Sequence, residues 1–429
     1  MYKDTELTTV GYQPTIVSKL RSLGSFEELF WLVDQHRPIH FAMAAEIEGE
    51  TTIEQWRHAL NLLQRRHPLL SVSIQKEGNS APCFIRRPSM PIPLRVVQGI
   101  DITRDWELEA EFELSQPFAP ETAPLLRAAL LHEESRAVCI LTVHHSVADG
   151  RSMQYVIRDL LQALAGESLE TLPLLKSEDE LLGIIQSRAG QTEAGEQPDN
   201  AYSERPAVYI DKERVRPEVK TLQLSLQLTR SLRDRARSEQ TTVHGALSAA
   251  IAMAYYETRV KSRPGQIRVM SPIDLRKLLG LEDYCALLVG AGKVAIDPLT
   301  AGPFWKIARQ ATSELAPFQM PEAIIASKKQ MRGVIQQGLD VASAAETAAK
   351  LFAHEVMVSN LGNFPCETDF GWYRLNAVWG PAVSARIEGA EPIGVATTNG
   401  KLSLVQTTFS PNDPLLEVAE DILLSACDS

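Results

Sequence analysis

The sequence has little of what disulfide frameworks, metal clusters or membrane spans require. Its 429 residues include only five cysteines, which are scattered singly and form no C-x-x-C pair. This spacing argues against a zinc knuckle or a thioredoxin-type motif, and the low, odd count is typical of a reducing cytosol. No apolar run approaches the roughly 18–20 residues of a membrane span, and the polar N-terminal segment does not resemble a secretory signal peptide. We therefore expect a soluble, cytoplasmic protein without structural metal or disulfide.

Basic residues are also in the minority. Lys and Arg number 43 against 54 Asp and Glu, which gives a formal net charge of −11. Because nonspecific binding to nucleic acid and to anionic membranes depends on Lys and Arg, we expect neither as a partner. The phosphate-holding patterns G-x-G-x-x-G after a strand and G-x-x-x-x-G-K-[ST] are missing too. Dinucleotide-binding and P-loop functions are therefore not indicated.

The length of the chain suits two domains of about 200 residues each. A stretch rich in Glu, Gln, Gly and Pro runs from about residue 176 to 219, and Leu181–Ile185 is its main apolar part. We interpret this stretch as a crossover linker. The predicted division is an N-terminal lobe over 1–175, the linker over 176–219 and a C-terminal lobe over 220–429.

Hydrophobic periodicity predicts a mixed α/β fold. A capping box at Thr52–Gln55 precedes apolar residues at helical spacing, so we predict a helix over 53–65. The run 138–143 is apolar and rich in β-branched residues, which predicts a buried strand. The same reasoning predicts helices over 153–164 and 242–256, and strands over 267–270, 356–358 and 402–409.

The most informative segment is His144-His145-Ser146-Val147-Ala148-Asp149-Gly150, which lies between the predicted strand 138–143 and the helix that follows. A neutral imidazole has a pKa near 6.5 and can take and return a proton near pH 7. Acyl transfer requires a base that does this. Adjacent residues of a strand point to opposite faces, so only one of the two histidines can enter a given cavity.

The end of this segment leaves several interpretations open. Asp149 can orient a catalytic ring, cap the following helix or pair with an arginine, and Gly150 suits a turn with positive φ or a close backbone approach. A metal site is disfavoured, because zinc needs three or four ligands and Asp149 is the only candidate near the two histidines. Ser146 is not part of a G-x-S-x-G elbow, so a serine hydrolase is not indicated.

The pattern H-H-x-x-x-D-G after a buried strand resembles the motif of the chloramphenicol-acetyltransferase-like superfamily. This superfamily includes condensation domains of nonribosomal peptide synthetases, plant BAHD acyltransferases and polyketide-associated stand-alone acyltransferases similar to phthiocerol/phthiodiolone dimycocerosyl transferase. Further segments are similar to segments of these families, in the same order: RHPLL at 66–70, SPIDLR at 271–276, SNLG at 359–362 and DFGWY at 369–373. In the last of them, Tyr373 stands where BAHD enzymes have glycine.

The resemblance implies two chloramphenicol-acetyltransferase-like lobes with a channel between them. It implies that His145, the second histidine, is the general base, with His144 beside it in the motif. It further implies that Asp149 points away from the substrate and pairs with Arg276, and that Gly150 belongs to the turn.

Several other residues have open roles. Asn360, with Ser359 beside it, is a candidate donor to the oxyanion of a tetrahedral intermediate or, equally, a turn residue at the end of a strand. We interpret Trp372 and Trp379 as aromatics of the core or of the lobe interface. We interpret His354 as structural, because no chemical motif accompanies it.

From the resemblance we expect an O-acyltransferase of natural-product or lipid biosynthesis. It would move an acyl group from a thioester to the hydroxyl of a small-molecule alcohol, without a covalent acyl-enzyme and without a permanently bound cofactor. The donor would be acyl-coenzyme A or the phosphopantetheinyl acyl carrier protein of a polyketide or nonribosomal peptide synthase. We expect a monomer.

Two alternatives stay open, namely amide-forming condensation between carrier-bound substrates and a non-catalytic carrier-docking module on the same fold. The donor form is open as well. Basic residues that can receive either donor are Lys328, Lys329 and Arg332, or Arg214 and Arg216, although a solvated charged face is the favoured interpretation of each group.

Overall fold

The fold is that of a computed structural model, which describes residues 18–98, 101–102, 105–189, 210, 216–260, 265–300, 302–384 and 386–428. Up to residue 189 the elements are β1 (Ser18–Ser22), α1 (Ser25–His36), β2 (Phe41–Gly49), α2 (Ile53–Arg66), β3 (Val72–Gln75), β4 (Cys83–Arg86), β5 (Leu94–Val97), α3 (Trp106–Ser115), β6 (Leu126–His132), β7 (Arg136–Val143), α4 (Gly150–Leu164) and α5 (Glu178–Ala189).

From residue 218 onward the chain again alternates between strands and helices. These elements are β8 (Glu218–Gln223), α6 (Leu226–Ser238), α7 (Val243–Tyr255), β9 (Ile267–Asp274), α8 (Arg276–Leu279), β10 (Val289–Ile296), α9 (Phe304–Leu315), α10 (Pro321–Gln336), α11 (Val341–Leu351), β11 (Val356–Asn363), β12 (Tyr373–Val383), β13 (Glu391–Thr398), β14 (Lys401–Thr408) and α12 (Leu415–Asp428). The predicted mixed α/β fold class is confirmed.

The strands form three sheets. A five-stranded sheet has the order β12-β2-β7-β6-β5, a six-stranded sheet has the order β10-β9-β11-β13-β14-β8, and a small sheet has the order β1-β4-β3. Helices α2 and α4 pack against each other beside the five-stranded sheet, and α7 packs against α9 and α12 beside the six-stranded sheet. Each sheet thus buries one apolar face under helices, which is the usual way to build a core from mixed elements.

Strand β12 joins the two parts of the chain. It pairs antiparallel with β2, with Leu375 opposite Ile47 and Trp379 opposite Ala44. A strand from the range 220–429 therefore completes the sheet of the N-terminal part. The predicted lobe boundaries stay a prediction, and this exchange is a feature that a division by sequence position does not contain.

The predicted elements around the motif agree with the structure. Helix α2 begins after the Thr52 capping box and ends at Arg66, and the predicted strand 138–143 lies within β7. Strand β7 is buried along almost its whole length because β2 and β6 flank it in the middle of the sheet. Strand β7 is therefore a rigid support for the motif at residues 144–150 that follows it.

One interpretation from the sequence was wrong. Trp372 is 82% exposed and so is not a core or interface aromatic, whereas Trp379 packs against Trp106 at a ring distance of 5.6 Å. The stretch 176–219 also contains more regular structure than its composition suggests, since it includes α5 and the start of β8. Residues 190–209 and 211–215 of that stretch lie outside the described part of the chain.

Candidate active site

His145 lies between the end of β7 and the start of α4, where it lines a cavity of about 140 Å³. Its ring stacks on Phe30 at a centroid distance of 4.6 Å and an interplanar angle of 15°. Phe41 contacts the ring at 4.8 Å in a tilted arrangement. The two phenyl rings leave the imidazole little freedom to rotate, so its free edge is directed by packing.

The hydrogen bonds of His145 decide which ring nitrogen can act as a base. Nδ1 lies 3.0 Å from the carbonyl oxygen of Ala148. Because a carbonyl oxygen only accepts, Nδ1 carries the proton, and Nε2 keeps its lone pair. Burial lowers the pKa of His145 below its ordinary value of 6.5, and the nearby Asp149 charge offsets this only in part. At neutral pH the ring is therefore an unprotonated base.

His144 points to the other side of the strand end and does not line this cavity. Its Nδ1 accepts a hydrogen bond from the backbone N–H of Ser146 at 3.1 Å, so its proton is on Nε2. That nitrogen lies 3.3 Å from Oδ2 of Asp34, without a well-formed hydrogen bond. The ring is completely buried. This environment suits a structural histidine better than a reacting one.

Asp149 is fully engaged by neighbours other than the His145 ring. Its Oδ1 accepts from the backbone N–H of Ser152 at 2.7 Å and so caps α4. Its Oδ2 accepts from Arg276 Nη1 at 3.0 Å and from the backbone N–H of Leu288 at 2.8 Å. Burial alone would raise the pKa of Asp149, but the Arg276 charge and these hydrogen bonds hold it below its ordinary range. Asp149 is therefore an ionised, fixed group at the turn.

Arg276 is 1% exposed. Besides Asp149, its guanidinium donates to Asp274 at 2.8 Å, to Ser152 Oγ at 2.7 Å and to the carbonyl oxygen of Ala286 at 3.0 Å. Charge-assisted bonds of this kind fix a geometry more strongly than neutral ones. The sequence left three roles open for Asp149. Its observed contacts match two of them, helix capping and pairing with an arginine.

Gly150 is the first residue of α4 and lies between two cavities. A Cβ at this position would come within 2.9 Å of Leu361 Cδ2 and 3.4 Å of Pro381. Its backbone φ is not in the left-handed region. Of the two open interpretations for this glycine, close approach is the one that matches the structure.

A second cavity of about 450 Å³ lies next to the first. Asp149, Gly150, Pro272, Val289 and Ser359 line both, so the two cavities share a wall at the end of the motif.

Asn360, the residue after Ser359, lines only the second cavity. Its Oδ1 accepts from the backbone N–H of Gly362 at 2.9 Å, at the irregular end of β11, and its amide Nδ2 is available for donation. Ser359 is buried in β11 and touches both cavities. The oxyanion role of either residue stays a prediction.

Several residues that form the site carry no sequence signal of their own. Phe30 and Phe41 hold the His145 ring, and Phe352 stacks on Phe30 at 5.8 Å. Ser384 and His354 line the same cavity. These residues come from separate parts of the chain, and isolated phenylalanines or serines have no spacing pattern that would single them out.

Of the basic residues considered for donor binding, Lys328, Lys329 and Arg332 line one small pocket beside α5. Lys328 is buried, and its Nζ lies 2.9 Å from the Glu178 carboxylate and 3.3 Å from the centre of the Phe26 ring. Lys329 is exposed and Arg332 is half-buried. Arg214 lies outside the described residues, and Arg216 is exposed. Lys328 is thus engaged by a buried ion pair, and a role of this group in donor binding stays a prediction.

Comparison with known proteins gives the family. The sequence profile described as "Condensation domain" matches residues 31–263, which include the whole histidine motif and more than half of the chain. The chain belongs to the condensation-domain family. Condensation domains are acyltransferases that use carrier-bound substrates without a permanent cofactor, as expected from the sequence. This chain resembles solved structures of condensation domains, which have the two-lobed fold.

Curated relatives of this condensation domain are much longer proteins. A linear gramicidin synthase from Brevibacillus parabrevis is 29% identical over 285 residues, which cover 58% of this chain and 4% of the relative. Surfactin synthase subunit 2 from Bacillus subtilis (strain 168) is 28% identical over 200 residues, which cover 45% of this chain and 5% of the relative. The chain thus matches a small part of each synthase.

Solved structures match over nearly the full length of the condensation domain. Polyketide synthase associated protein 5 from Mycobacterium tuberculosis has a TM-score of 0.68 at 18% identity, covering 96% of this chain and 98% of that one. The first condensation domain of the calcium-dependent antibiotic synthetase has a TM-score of 0.67 at 14% identity, covering 96% of each chain. At these identities the likeness shows the shared fold.

Membrane and metal features are absent from the described residues. None of the helices there combines the length and the apolar character needed to cross a membrane. In the same part of the chain, His, Cys, Asp and Glu do not gather in a group of three or more that could hold a metal ion.

Proposed function

We propose that this chain catalyses condensation between an acyl group held as a carrier-bound thioester and an amine acceptor, which gives an amide. The observation that carries the proposal is His145, whose unprotonated Nε2 is fixed by the Ala148 carbonyl and by two phenyl rings at the wall of an apolar cavity. The acceptor nitrogen attacks the thioester carbonyl, a C–N bond forms, and the C–S bond breaks. His145 takes the proton from the nitrogen and returns it to the departing thiolate.

The two cavities give each substrate a separate site. The apolar cavity lined by His145 suits the acyl chain, and the larger cavity beyond Gly150 suits the acceptor and its tether. The cavities share the wall at Asp149, Gly150 and Ser359, so their occupants would meet at the motif. Holding both reactants in this way contributes to the rate by orientation. Ser359 and the amide of Asn360 are our candidates for donating to the oxyanion.

The depressed pKa of His145 favours an amine over a hydroxyl as the acceptor. An α-amino group has a pKa near 8 and is partly neutral at physiological pH, so it can attack without prior deprotonation. The base then removes a proton from a nitrogen that has become positively charged, which a weak base does readily. A hydroxyl needs help during the attack itself, which a stronger base gives better. Ester formation on an alcohol is the second candidate, because a base at this position can serve either acceptor.

Three further expectations belong to this proposal. The donor is a phosphopantetheinyl carrier protein and not free coenzyme A, because the condensation-domain family uses carrier-bound substrates. The protein acts in the cytoplasm and is a monomer. Asp149 and Arg276 position His145 and take no part in the proton transfer.

The decisive assay presents acyl thioesters to the purified protein with matched acceptors. Octanoyl groups on a carrier protein and on coenzyme A are incubated with a carrier-linked amine, a free amine or a matching alcohol, and thiol release and product mass are followed. An amide product that needs the carrier-linked donor supports the proposal. An ester product with the alcohol alone would establish the second candidate instead. The lack of any product above the blank would favour a non-catalytic docking module.

A further inference from the structure

The cavity lined by His145 has a largely apolar wall that leaves some of its buried polar atoms without a hydrogen-bond partner. His354 and Ser384 both line the cavity and are 5% and 1% exposed. Within the described part of the chain, neither His354 Nε2 nor Ser384 Oγ has a hydrogen-bond partner. Nearly all buried polar atoms in proteins are paired, so two such atoms in one cavity wall indicate a ligand that pairs with them.

The chemistry of His354 defines what the ligand must offer. Nδ1 of its ring contacts the carbonyl oxygen of Phe352, which can only accept, so Nδ1 carries the proton. Burial lowers the pKa of His354 to about 4, so the ring is neutral at pH 7. Nε2 therefore presents a lone pair to the cavity. It needs a hydrogen-bond donor.

The position of His354 ties it to the proposed acyl site. Phe352, two residues earlier, stacks on Phe30, and Phe30 stacks on His145. The three rings form one wall that connects the base with His354. Met270 and Met357 also line this cavity, and their flexible side chains suit an aliphatic chain.

Other ligand groups fit the two polar atoms less well. A carboxylate has no proton to donate to His354, and an ammonium group would be placed in the same apolar cavity as Arg37. A hydroxyl is neutral, and it both donates and accepts. It can donate to His354 Nε2 and accept from the hydroxyl of Ser384.

We infer that the acyl group accepted by this cavity carries a hydroxyl that hydrogen-bonds to His354 and Ser384. The preferred substrate class is thus a hydroxyacyl thioester, ahead of a plain alkyl one. The inference rests on the proposed function only in taking this cavity as the acyl site. A site built to pair with a hydroxyl discriminates strongly against the analogue that lacks it, because its own buried atoms are then left unpaired.

Binding of non-transferable ligands tests this inference separately from catalysis. The probes are octanoyl pantetheine in which an amide replaces the thioester, and the same compound with a hydroxyl at each carbon of the chain in turn. Their dissociation constants are measured by titration calorimetry with the full chain. We expect one hydroxyl position to bind tighter than the plain chain by on the order of 10- to 100-fold.

Variants identify the residues responsible for this preference. His354→Leu and Ser384→Ala should each remove most of it, while the plain chain binds His354→Leu at least as well as the wild type. His244→Leu is the control, because His244 is a half-buried histidine whose pKa is also lowered to about 4 by burial, yet it does not line the cavity. Equal binding of the plain and all hydroxylated chains, lack of binding by every hydroxylated chain, or a preference that survives in His354→Leu would overturn the inference.

Discussion

Arg276 donates a hydrogen bond to Asp149 across 3.0 Å, although 127 residues separate the two in sequence. The pair joins the turn after β7 to the segment after β9, and both side chains are almost completely buried. Asp149 also caps α4, which begins one residue later. The aspartate of the motif therefore fixes the backbone from which His145 extends, and it does so through the arginine and the helix cap.

Breaking the ion pair between Asp149 and Arg276 should mainly lower the free energy of unfolding. In Asp149→Ala the buried Arg276 charge loses its main partner, and we expect the free energy of unfolding to fall by about 3–5 kcal/mol. Urea denaturation measures this loss. The exposed pair Arg374–Asp369, at 3.8 Å, offers a control in Arg374→Ala, for which we expect a change of less than about 1 kcal/mol. Equal effects of the two substitutions would contradict the assigned role.

The same pair predicts a pH dependence of stability. The folded-state pKa of Asp149 lies below its ordinary value of 3.8, so the ionised carboxylate stabilises the fold above that value. The contribution is lost as the pH falls through the lower folded-state value. The difference in stability between the wild type and Asp149→Asn, measured by urea denaturation, should therefore shrink below pH 3.8. A difference that stays constant down to the acid transition would show that ionisation of Asp149 is unimportant.

The rate of acyl transfer should fall only at acidic pH, where His145 becomes protonated and can no longer act as a base. Since burial lowers the pKa of His145 below 6.5, the acid limb of kcat/KM, calculated on the concentration of the neutral amine, should have its midpoint below that value. In Phe30→Ala the ring loses its stacked neighbour and becomes more hydrated, which should shift the midpoint upward. Initial rates over a series of buffers measure both profiles. A limb at or above pH 6.5 in the wild type would show that another group controls the rate.

Adding one methyl group at Gly150 should obstruct the passage between the cavities. The new Cβ would meet the side-chain end of Leu361 at 2.9 Å, and Leu361 lines the second cavity. We expect kcat/KM to fall by about 10- to 100-fold, because small misplacements of reactants are costly, with little loss of stability. Gly333→Ala is the control in α10, since nothing lies within 4 Å of its Cβ position. An unchanged kcat/KM in Gly150→Ala would rule out a narrow passage at this point.

Helix α5 should be held in place by a buried ion pair. Lys328 contacts Glu178 at 2.9 Å, and burial raises the pKa of Glu178 to about 7 even with the lysine beside it. Lys328→Met should therefore lower the free energy of unfolding by about 3–5 kcal/mol. Adding Glu178→Gln to that variant should restore part of the loss, giving a coupling of about 0.5–3 kcal/mol in a double-mutant cycle. If the changes in the free energy of unfolding of the two single variants simply added up in the double variant, Lys328 and Glu178 would not interact.

The sequence contains the local part of this site but not its assembly. The strand, the turn and the helix around His145 are continuous in sequence, so periodicity and the H-H-x-x-x-D-G pattern are sufficient to predict them. Pairing of β12 with β2, and the approach of Phe30 and Phe41 to the imidazole, depend on contacts between distant parts of the chain.

Two residues show why sequence patterns mislead outside the motif. Trp372 was misjudged because a tryptophan in a family-like segment suggests burial, whereas it lies in the exposed turn before β12. Lys328 was misjudged because its partner Glu178 is in a stretch with the composition of a linker. In both cases the burial of the side chain depends on which distant segment packs over it, and composition does not contain that information.

The most direct test of the account is the single-turnover rate of His145→Ala with an octanoyl carrier thioester and a carrier-linked amine. We predict a drop on the order of 10²–10⁴-fold in a protein that still unfolds cooperatively in urea, although it loses the ring contacts with Phe30 and Phe41. His58→Ala, which changes an exposed histidine on α2, should keep the wild-type rate. A folded His145→Ala protein that forms amide at the wild-type rate would contradict the claim that His145 is the base.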